Sequence, residues 1–283
     1  MRVLPKVEPL AKKPLRGKAI ALCVLVVCVV FSAGALAVTM SSRAEHPTQP
    51  PSSQSEPESG EPETLPVIAP TAPPPTTRDV AALEGKKLVA LTFDDGPHPT
   101  LTPQLLDFLQ EQDVRVTFFI LGCNAVNLPD IPRRAAAEGH QVCNHTYYHK
   151  DLTKVTAERL TKEIEDTAAL IEELTGSRPT AMRPPFGAQN SAVQAVLDTP
   201  LILWSVDPYD WSTRNADKTY QRIMEGAHDG AILLLHDYYP ETIEAAKRII
   251  PALKAQGYTF VTVDELLAAR GEAGPGEVVR QRL

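Results

Sequence analysis

The sequence predicts an α/β fold built on parallel strands, and three observations support this class. From about residue 86 onwards, short apolar runs alternate with helical patterns, which is typical of parallel strands joined by helical crossovers. Polar residues capable of chemistry follow several of these runs, at the edge where parallel α/β proteins build their sites. Residues 1–85 lack the alternation, so we expect a different kind of structure there.

Seven strands and their helices account for residues 86–270. The apolar runs predict strands at 87–93, 114–121, 140–144, 180–183, 201–206, 231–235 and 258–263. Between them the pattern predicts a helix ending at Gly139 and others at 156–175, 191–198, 216–228 and 241–256. We expect Thr102 to cap the first helix and Asp264 the last. Seven strands could close into a barrel or form an open doubly wound sheet. The sequence has no glycine-rich phosphate loop, which favours a barrel and argues against a nucleotide partner.

The amino-terminal part is predicted to be a membrane anchor. A basic segment, residues 1–18, precedes the uncharged residues 19–40. At about 1.5 Å per residue, a helix of that length spans the roughly 30 Å hydrocarbon core of a bilayer. The positive-inside rule then leaves residue 1 cytoplasmic and the rest of the chain extracytoplasmic, as a single-pass cell-membrane protein. The alternative is a signal peptide cleaved near Ala37, which would release a secreted protein.

Residues 41–85 are predicted to be a disordered linker. Ten of the 26 prolines lie between Pro47 and Pro75, among Ser, Thr and Glu. Such a composition cannot bury enough apolar surface to offset the entropy of ordering. The linker would separate the anchor from the domain at 86–270, which a tail at 271–283 follows. Residues 79–283 carry 20 basic and 29 acidic residues, which argues against a nucleic-acid partner.

A metal site is the first chemical prediction. His145 and His149 are four residues apart, so on one helical turn they would point the same way and could share a metal ion. Two surface histidines with this spacing are common, so a third ligand is needed, and Asp95 at a neighbouring strand end is the candidate. Asp94 beside it could take a proton from a water that the metal activates. The alternative for the two aspartates is a turn or a helix cap.

His236 is the candidate acid. It follows an apolar strand and could protonate a leaving amine, with Asp210 as the partner that keeps it cationic. The alternative is a core histidine satisfied by hydrogen bonds. Strand alternation puts Leu234 on the same side as His236, where it could form a small apolar pocket with Trp211.

Five segments follow one another along the chain: Thr92–Pro97, His145–His149, Arg183–Gly187, Asp207–Trp211 and Leu233–Asp237. Together they resemble the ordered motifs of the polysaccharide deacetylases, carbohydrate esterase family 4 with its NodB-homology domain. The resemblance covers about residues 86–270. It implies a distorted (β/α)7 barrel and metal-dependent removal of N-acetyl groups from amino-sugar polymers.

The resemblance also implies a role for each site residue. Asp94 would be the general base, oriented by Arg183. Asp95, His145 and His149 would hold a divalent ion, zinc or another such as cobalt. His236 would be the general acid, tuned by Asp210. The backbone N–H of Phe186 would help hold the oxyanion, although the family usually has Tyr there, and Trp211 and Leu234 would cradle the acetate methyl.

The predicted topology and family favour N-acetylglucosamine in cell-wall peptidoglycan as the substrate. Alternatives are N-acetylmuramic acid, chitin oligomers, poly-N-acetylglucosamine and acetylxylan. A non-catalytic wall-binding protein is the alternative from another class; it would have lost a ligand or an acid–base residue, and none is lost here. Because an exported domain meets an oxidising environment, we also predict a Cys123–Cys143 disulfide, the alternative being two buried thiols.

Overall fold

Parallel strands alternate with helices along residues 79–283, the part of the chain that the computed structural model describes. The strands are β1 (Lys87–Asp94), β2 (Thr117–Ile120), β3 (Gln141–Asn144), β4 (Leu201–Ile202), β5 (Ala231–His236), β6 (Tyr258–Val261) and β7 (Val278–Val279). The helices are α1 (Leu101–Glu111), α2 (Gly122–Ala125), α3 (Asp130–Ala137), α4 (Ala157–Thr175), α5 (Ser191–Ala195), α6 (Asp210–Thr213), α7 (Ala216–Gly226), α8 (Pro240–Ala255) and α9 (Val263–Arg270). The predicted α/β class with a parallel sheet is confirmed.

Strand β1 is the centre of the main sheet, whose order is β3-β2-β1-β5 with every pair parallel. β5 pairs with residues 89–94 of β1. β6 pairs with residues 87–90 and β2 with residues 92–94. Because β5 occupies one edge of β1, β6 and β2 must share its other edge, one after the other.

Isolated bridges extend the sheet beyond both of its ends. Met182 pairs in parallel with Asn144 of β3 and with Leu201 of β4, and Val206 pairs in parallel with Leu233 of β5. This series of pairs leads from β3 back to β5. The sheet therefore curls towards closure, in the direction that the prediction of a barrel requires.

The strand predicted at 114–121 is reduced to β2, and two other predicted strands are shorter still. The segment 180–183 contributes a single bridge at Met182, since Pro184 and Pro185 follow and proline has no N–H for a strand ladder. The segment 201–206 is reduced to β4 and the bridge at Val206. The curled sheet is therefore less regular than a barrel of seven full strands.

Alternation along β1 separates two hydrophobic cores. Val89, Leu91 and Phe93 face one side and pack in a cluster with buried residues of α1 and α8. Leu88 and Ala90 face the other side, in a cluster that the sheet encloses. The other strand residues of this enclosed cluster are Phe119, Cys143, Ile202, Ile232, Val261 and Val279. Each large buried side chain contributes about 1.5–3 kcal/mol, so both faces of β1 stabilise the sheet.

The cap of α9 is Thr262 and not Asp264, so that prediction is wrong. The Thr262 hydroxyl accepts the N–H of Glu265, and the Glu265 carboxylate accepts the N–H of Thr262. This reciprocal capping box satisfies two N–H groups at the start of the helix. Asp264 instead accepts a hydrogen bond from the Thr180 hydroxyl.

Thr102 does not cap α1 either. It lies inside the helix, and its hydroxyl accepts the N–H of His98 and donates to Asp237. The imidazole Nδ1 of His98 accepts the N–H groups of Thr100 and Leu101. A histidine ring therefore takes the capping role that the sequence assigned to a hydroxyl.

The carboxyl-terminal residues 271–283, predicted as a tail, contribute β7. This strand lies parallel to β4, and Val279 is buried in the enclosed cluster. At the other end, the predicted anchor at 19–40 and residues 41–78 of the linker lie outside the described residues. Between residues 79 and 283, no helix is both long enough and apolar enough to cross a bilayer.

The predicted Cys123–Cys143 disulfide is wrong, because both residues are free thiols. Cys143 is fully buried on β3, where its side chain faces the enclosed cluster. Cys123 lies on α2, and its Sγ is 3.7 Å from the side-chain oxygen of Asn124. The two side chains belong to different surroundings, one on a short helix and the other on a strand.

Candidate metal and acid–base site

Alternation brings two reactive residues to one end of the sheet. Ala90 on β1 and Ile232 on β5 face the enclosed cluster. Because side chains on one face recur every second residue, Asp94 and His236 face the same way at the ends of these strands. Asp94 and His236 are also register partners, so two adjacent strand ends carry the predicted base and the predicted acid.

The three predicted metal ligands do converge. The Nε2 atoms of His145 and His149 lie 3.5 and 3.3 Å from Oδ1 of Asp95. One nitrogen or oxygen atom from each of the three residues lies within 4.8 Å of the others. The histidines are not on a helical turn, as their spacing suggested, but on a loop after β3. His149 has a left-handed backbone, with φ 54°, and the centre of its ring lies 5.1 Å from that of His145.

These residues fit a divalent cation. Oδ1 of Asp95 is buried and has no hydrogen-bond partner among the described residues. Burial by itself would raise the pKa of Asp95, but the nearby imidazoles of His145, His236 and His149 outweigh it and lower the pKa to about 2. Nδ1 of His145 lies 2.8 Å from the carbonyl oxygen of Arg183. Because a carbonyl oxygen only accepts, Nδ1 carries the hydrogen, and the lone pair of Nε2 is left on the side of Asp95. Metal-bound histidines commonly have this arrangement. Two imidazoles and a carboxylate suit zinc or a similar ion.

Asp94 is held by a buried arginine, as the resemblance implied. Its Oδ1 accepts from Nη1 of Arg183 at 2.6 Å, and its Oδ2 lies 3.7 Å from Nε2 of His145. Arg183 is fully buried and also donates to Thr92 and to the carbonyl oxygens of Ile202 and Leu203. The carboxylate is thus fixed beside the three-residue cluster with its second oxygen directed towards it.

His236 is held by Asp210 in the way that a cationic imidazole requires. Its Nδ1 lies 2.9 Å from Oδ1 of Asp210, and its backbone N–H donates to Oδ2. Thr242 on α8 also donates to Oδ2, so the carboxylate cannot rotate freely. Burial by itself would lower the pKa of His236, but Asp210 and, further away, Asp94 and Asp95 raise it to about 9. The imidazole is therefore protonated at neutral pH.

The remaining three predicted site residues differ in exposure. Phe186 is 70% exposed, and its ring lies 4.7 Å from that of His149. Leu234 is buried on β5, whereas Trp211 on α6 is half exposed. α6 packs against β5, which keeps both residues near His236.

Backbone strain is concentrated at this end of the sheet. Outside glycine, left-handed φ values occur at Asp95, Thr146, His149, Phe186 and Tyr209, all in the loops that follow strand ends, as well as at Asp113 and Arg214. Such conformations cost about 1–2 kcal/mol per residue and persist only where surrounding contacts impose them. The Asp95 turn, the loop 145–149 and the Phe186 turn are therefore held in place by the rest of the fold.

Two supporting residues could not be identified from the sequence. Asp237 was only the last residue of the fifth motif, with no role assigned to it, but it is fully buried against Gly96, and burial raises its pKa to about 7. Glu163 on α4 is also fully buried, and it accepts the N–H groups of Tyr147 and Tyr148. The only signal for Glu163 was a charged residue on the apolar stripe of its helix.

Comparison with known proteins supports the same interpretation. Residues 82–200 match the model of a family described as polysaccharide deacetylase. The chain is 41% identical over 196 residues to the peptidoglycan-N-acetylglucosamine deacetylase PgdA of Listeria monocytogenes, a match that covers 69% of this chain and 42% of that protein. It therefore spans about two fifths of the length of that relative.

Two shorter proteins are matched over most of their length. A peptidoglycan-N-acetylglucosamine deacetylase of Bacillus cereus is 38% identical, with 64% of this chain and 89% of that protein covered. The structure of a family 4 acetyl xylan esterase from Clostridium thermocellum, in complex with a cobalt ion, is 33% identical with a TM-score of 0.66. That match covers 69% of this chain and 98% of the solved one. With the site assembled on the same motifs, the chain belongs to the polysaccharide deacetylase family.

Proposed function

We propose that this protein hydrolyses N-acetyl groups of amino-sugar polymers and releases acetate. The observation that carries the proposal is the cluster of Asp95, His145 and His149 beside a fixed carboxylate, Asp94, whose register partner is a protonated imidazole, His236. Amide hydrolysis can use such a set, in which a cation site lies close to a base and an acid.

The cation would be held by Asp95, His145 and His149. When bound, a divalent cation polarises a carbonyl oxygen and lowers the pKa of a water molecule. Members of this family are metal-dependent, and the cobalt complex of the acetyl xylan esterase is a neighbour of this fold. We propose zinc as the native ion, with cobalt as a functional substitute.

The chain's own residues would move the protons. Asp94, oriented by Arg183, would accept the proton of the attacking water. The backbone N–H of Phe186 would donate to the oxyanion that develops on the acetyl group. His236, kept protonated by Asp210, would donate a proton to the departing amine of the sugar. Trp211 and Leu234 would enclose the acetyl methyl.

Peptidoglycan N-acetylglucosamine is the substrate we propose. It is the sugar named for the relatives from L. monocytogenes and B. cereus. A relative named as acting on N-acetylmuramic acid, from Bacillus subtilis, is also 41% identical, over 64% of this chain. The two sugars are therefore compared directly in the test.

The test uses the full chain, purified peptidoglycan and mass spectrometry of the released muropeptides. We expect loss of an acetyl group from N-acetylglucosamine, abolition of this loss by a chelator, and recovery with Zn²⁺ or Co²⁺. His149→Ala should abolish it, while His228→Ala, a histidine that contacts Gly226 and Gln281 instead, should not. Acetyl loss confined to N-acetylmuramic acid would overturn the choice of sugar. No acetyl loss with metal present would favour a wall-binding protein.

We also propose that the domain works outside the cytoplasm, anchored by residues 19–40. The support is the uncharged run with a basic segment before it and a Pro-rich segment after it. Protease added to cells without an outer barrier should release the domain by cutting within residues 41–78. Cleavage only after lysis of the membrane would show the opposite orientation.

A further inference from the structure

The loop that carries both histidine ligands donates hydrogen bonds to one buried carboxylate, that of Glu163. Oε2 of Glu163 accepts the backbone N–H groups of Tyr147 at 2.9 Å and Tyr148 at 2.7 Å. Oε1 accepts from Nε of Arg159 at 2.9 Å and from Nη2 at 2.6 Å. Glu163 is fully buried, so its charge is compensated entirely by these four bonds. No part of the proposed reaction uses it.

Other hydrogen bonds hold the remaining polar groups of this loop, including the N–H of His145, which donates to the carbonyl oxygen of Ile120. Residues 145–149 have neither helical nor strand pairing, and Thr146 and His149 have left-handed φ values of 71° and 54°. Within the loop, the Thr146 hydroxyl accepts the N–H of His149 at 3.1 Å. From outside, α2 donates to the carbonyl oxygens of Thr146 and Tyr147. Of the three N–H groups between the ligand residues, Glu163 accepts those of Tyr147 and Tyr148, and the side chain of Asn144 accepts the one of Thr146.

Arg159 holds the same loop at a second point. Its guanidinium lies 5.1 Å from the ring centre of Tyr148, in a cation–π contact. Tyr148 is thus held through its backbone by Glu163 and through its ring by Arg159. These two α4 residues are four apart, which puts them on one face of the helix. His149 is the next residue along the loop.

We propose that Glu163 and Arg159 position His149 for the metal, so that α4 sets the affinity and geometry of the cation site. This inference depends on the metal site of the proposed function. Groups that orient metal ligands typically change metal affinity about 10–100-fold when they are altered. A buried ion pair that served only the fold would change stability and leave the affinity of the folded protein unchanged.

The experiment titrates the chelator-treated full chain with Co²⁺ and records the cobalt absorption spectrum. Glu163→Gln should weaken Co²⁺ binding by at least about tenfold and alter the spectrum. Arg159→Gln leaves the carboxylate in place, so it should give a smaller loss. Glu165→Gln is the matched control, because Glu165 lies on the same helix but pairs with the exposed Arg178 and should bind Co²⁺ like the unmodified chain.

Thermal unfolding of each metal-free variant shows whether it is folded. Unchanged Co²⁺ affinity and spectrum in folded Glu163→Gln would overturn the inference. If that variant does not fold, an unchanged affinity and spectrum in Arg159→Gln would overturn it. Failure of the unmodified chain to bind one Co²⁺ would instead reject the metal site itself, which separates the two proposals.

Discussion

Asp210 holds His236 from two directions, because one carboxylate oxygen contacts the imidazole Nδ1 and the other accepts the backbone N–H of the same residue. The ring can therefore neither turn away nor lose its counter-charge. Its Nε2 atom is the one left for a substrate, and a change at Asp210 should alter proton donation without removing the imidazole.

Asp210→Asn should move the alkaline limb of the pH–activity profile to lower pH. An amide cannot keep the imidazole cationic, so the pKa of His236 falls from about 9, and burial lowers it further. The expected fall in kcat is about 10²–10⁴-fold above the new pKa, the usual range for lost acid catalysis. Measuring kcat/KM against pH checks this, with Asp207→Asn as a control. An alkaline limb in the same place would show that another group is the acid.

The metal-free protein should lose stability as pH rises from 6.5 to 9. The folded pKa of His236, about 9, lies above the ordinary 6.5, so its contribution is complete below pH 6.5 and disappears as pH rises through 9. The contribution is on the order of 1–3 kcal/mol. The free energy of unfolding is measured by denaturant titration with chelator present, at pH values above the pKa of about 7 for Asp237. It should fall less steeply with pH in His236→Gln than in the unmodified chain. An equal decline in both proteins would contradict this.

Arg183→Met should destabilise the fold by about 3–5 kcal/mol, because it leaves the carboxylate of Asp94 buried without its cation. Arg178→Met is the control: Arg178 is partly exposed, so losing its pair with Glu165 should cost less than about 1 kcal/mol. Urea unfolding of both variants measures the difference. Equal, small losses would show that the Arg183–Asp94 pair does not carry this stability.

Gly96→Ala should destabilise the loop that carries Asp95. A Cβ on Gly96 would lie 2.5 Å from both carboxylate oxygens of Asp237, which is fully buried and cannot retreat. Overpacking of this kind costs about 1–3 kcal/mol, and displacement of Asp95 should weaken Co²⁺ binding. Gly274→Ala, where no atom lies within 4 Å, is the control. Adding Asp237→Ser should restore part of the loss; no recovery would exclude this contact as the cause.

The thiols of Cys123 and Cys143 should differ in reactivity. Burial raises the pKa of both, but Cys143 is fully buried and Cys123 is partly exposed. An alkylating reagent should label Cys123 slowly in the native protein and Cys143 only after denaturation, as read by peptide mass mapping. A Cys123–Cys143 cross-linked peptide in the untreated protein would contradict the free thiols.

The sequence predicts best those site residues whose direction follows from the alternation of side chains along a strand. Asp94 and His236 end strands whose alternation is visible in the sequence, so their common side could be inferred. The convergence of His145 and His149 was predicted for the wrong reason, since a left-handed loop and not a helix brings them together.

What the sequence could not provide are contacts between distant segments. Glu163 reaches a loop that precedes its own helix, Asp237 packs on Gly96, and β7 pairs with β4 across more than seventy residues. No local pattern encodes these contacts, because each depends on how the helices and strands pack once the sheet has formed. The two incorrect helix caps have a different origin, because the contacts that form there are local: Thr262 pairs with Glu265, and His98 accepts the N–H of Leu101.

The pairing of Asp94 with His236 in the β1–β5 ladder has a consequence for how such an enzyme can diversify. Adjacent strands lie about 4.8 Å apart, and a slip of one residue would turn every side chain of one strand to the opposite face. The spacing between proton acceptor and proton donor is therefore inherited from backbone hydrogen bonds and cannot be adjusted in small steps. New substrates would have to be accommodated by the loops after the strands, while the distance between the two proton-transfer groups stays constant.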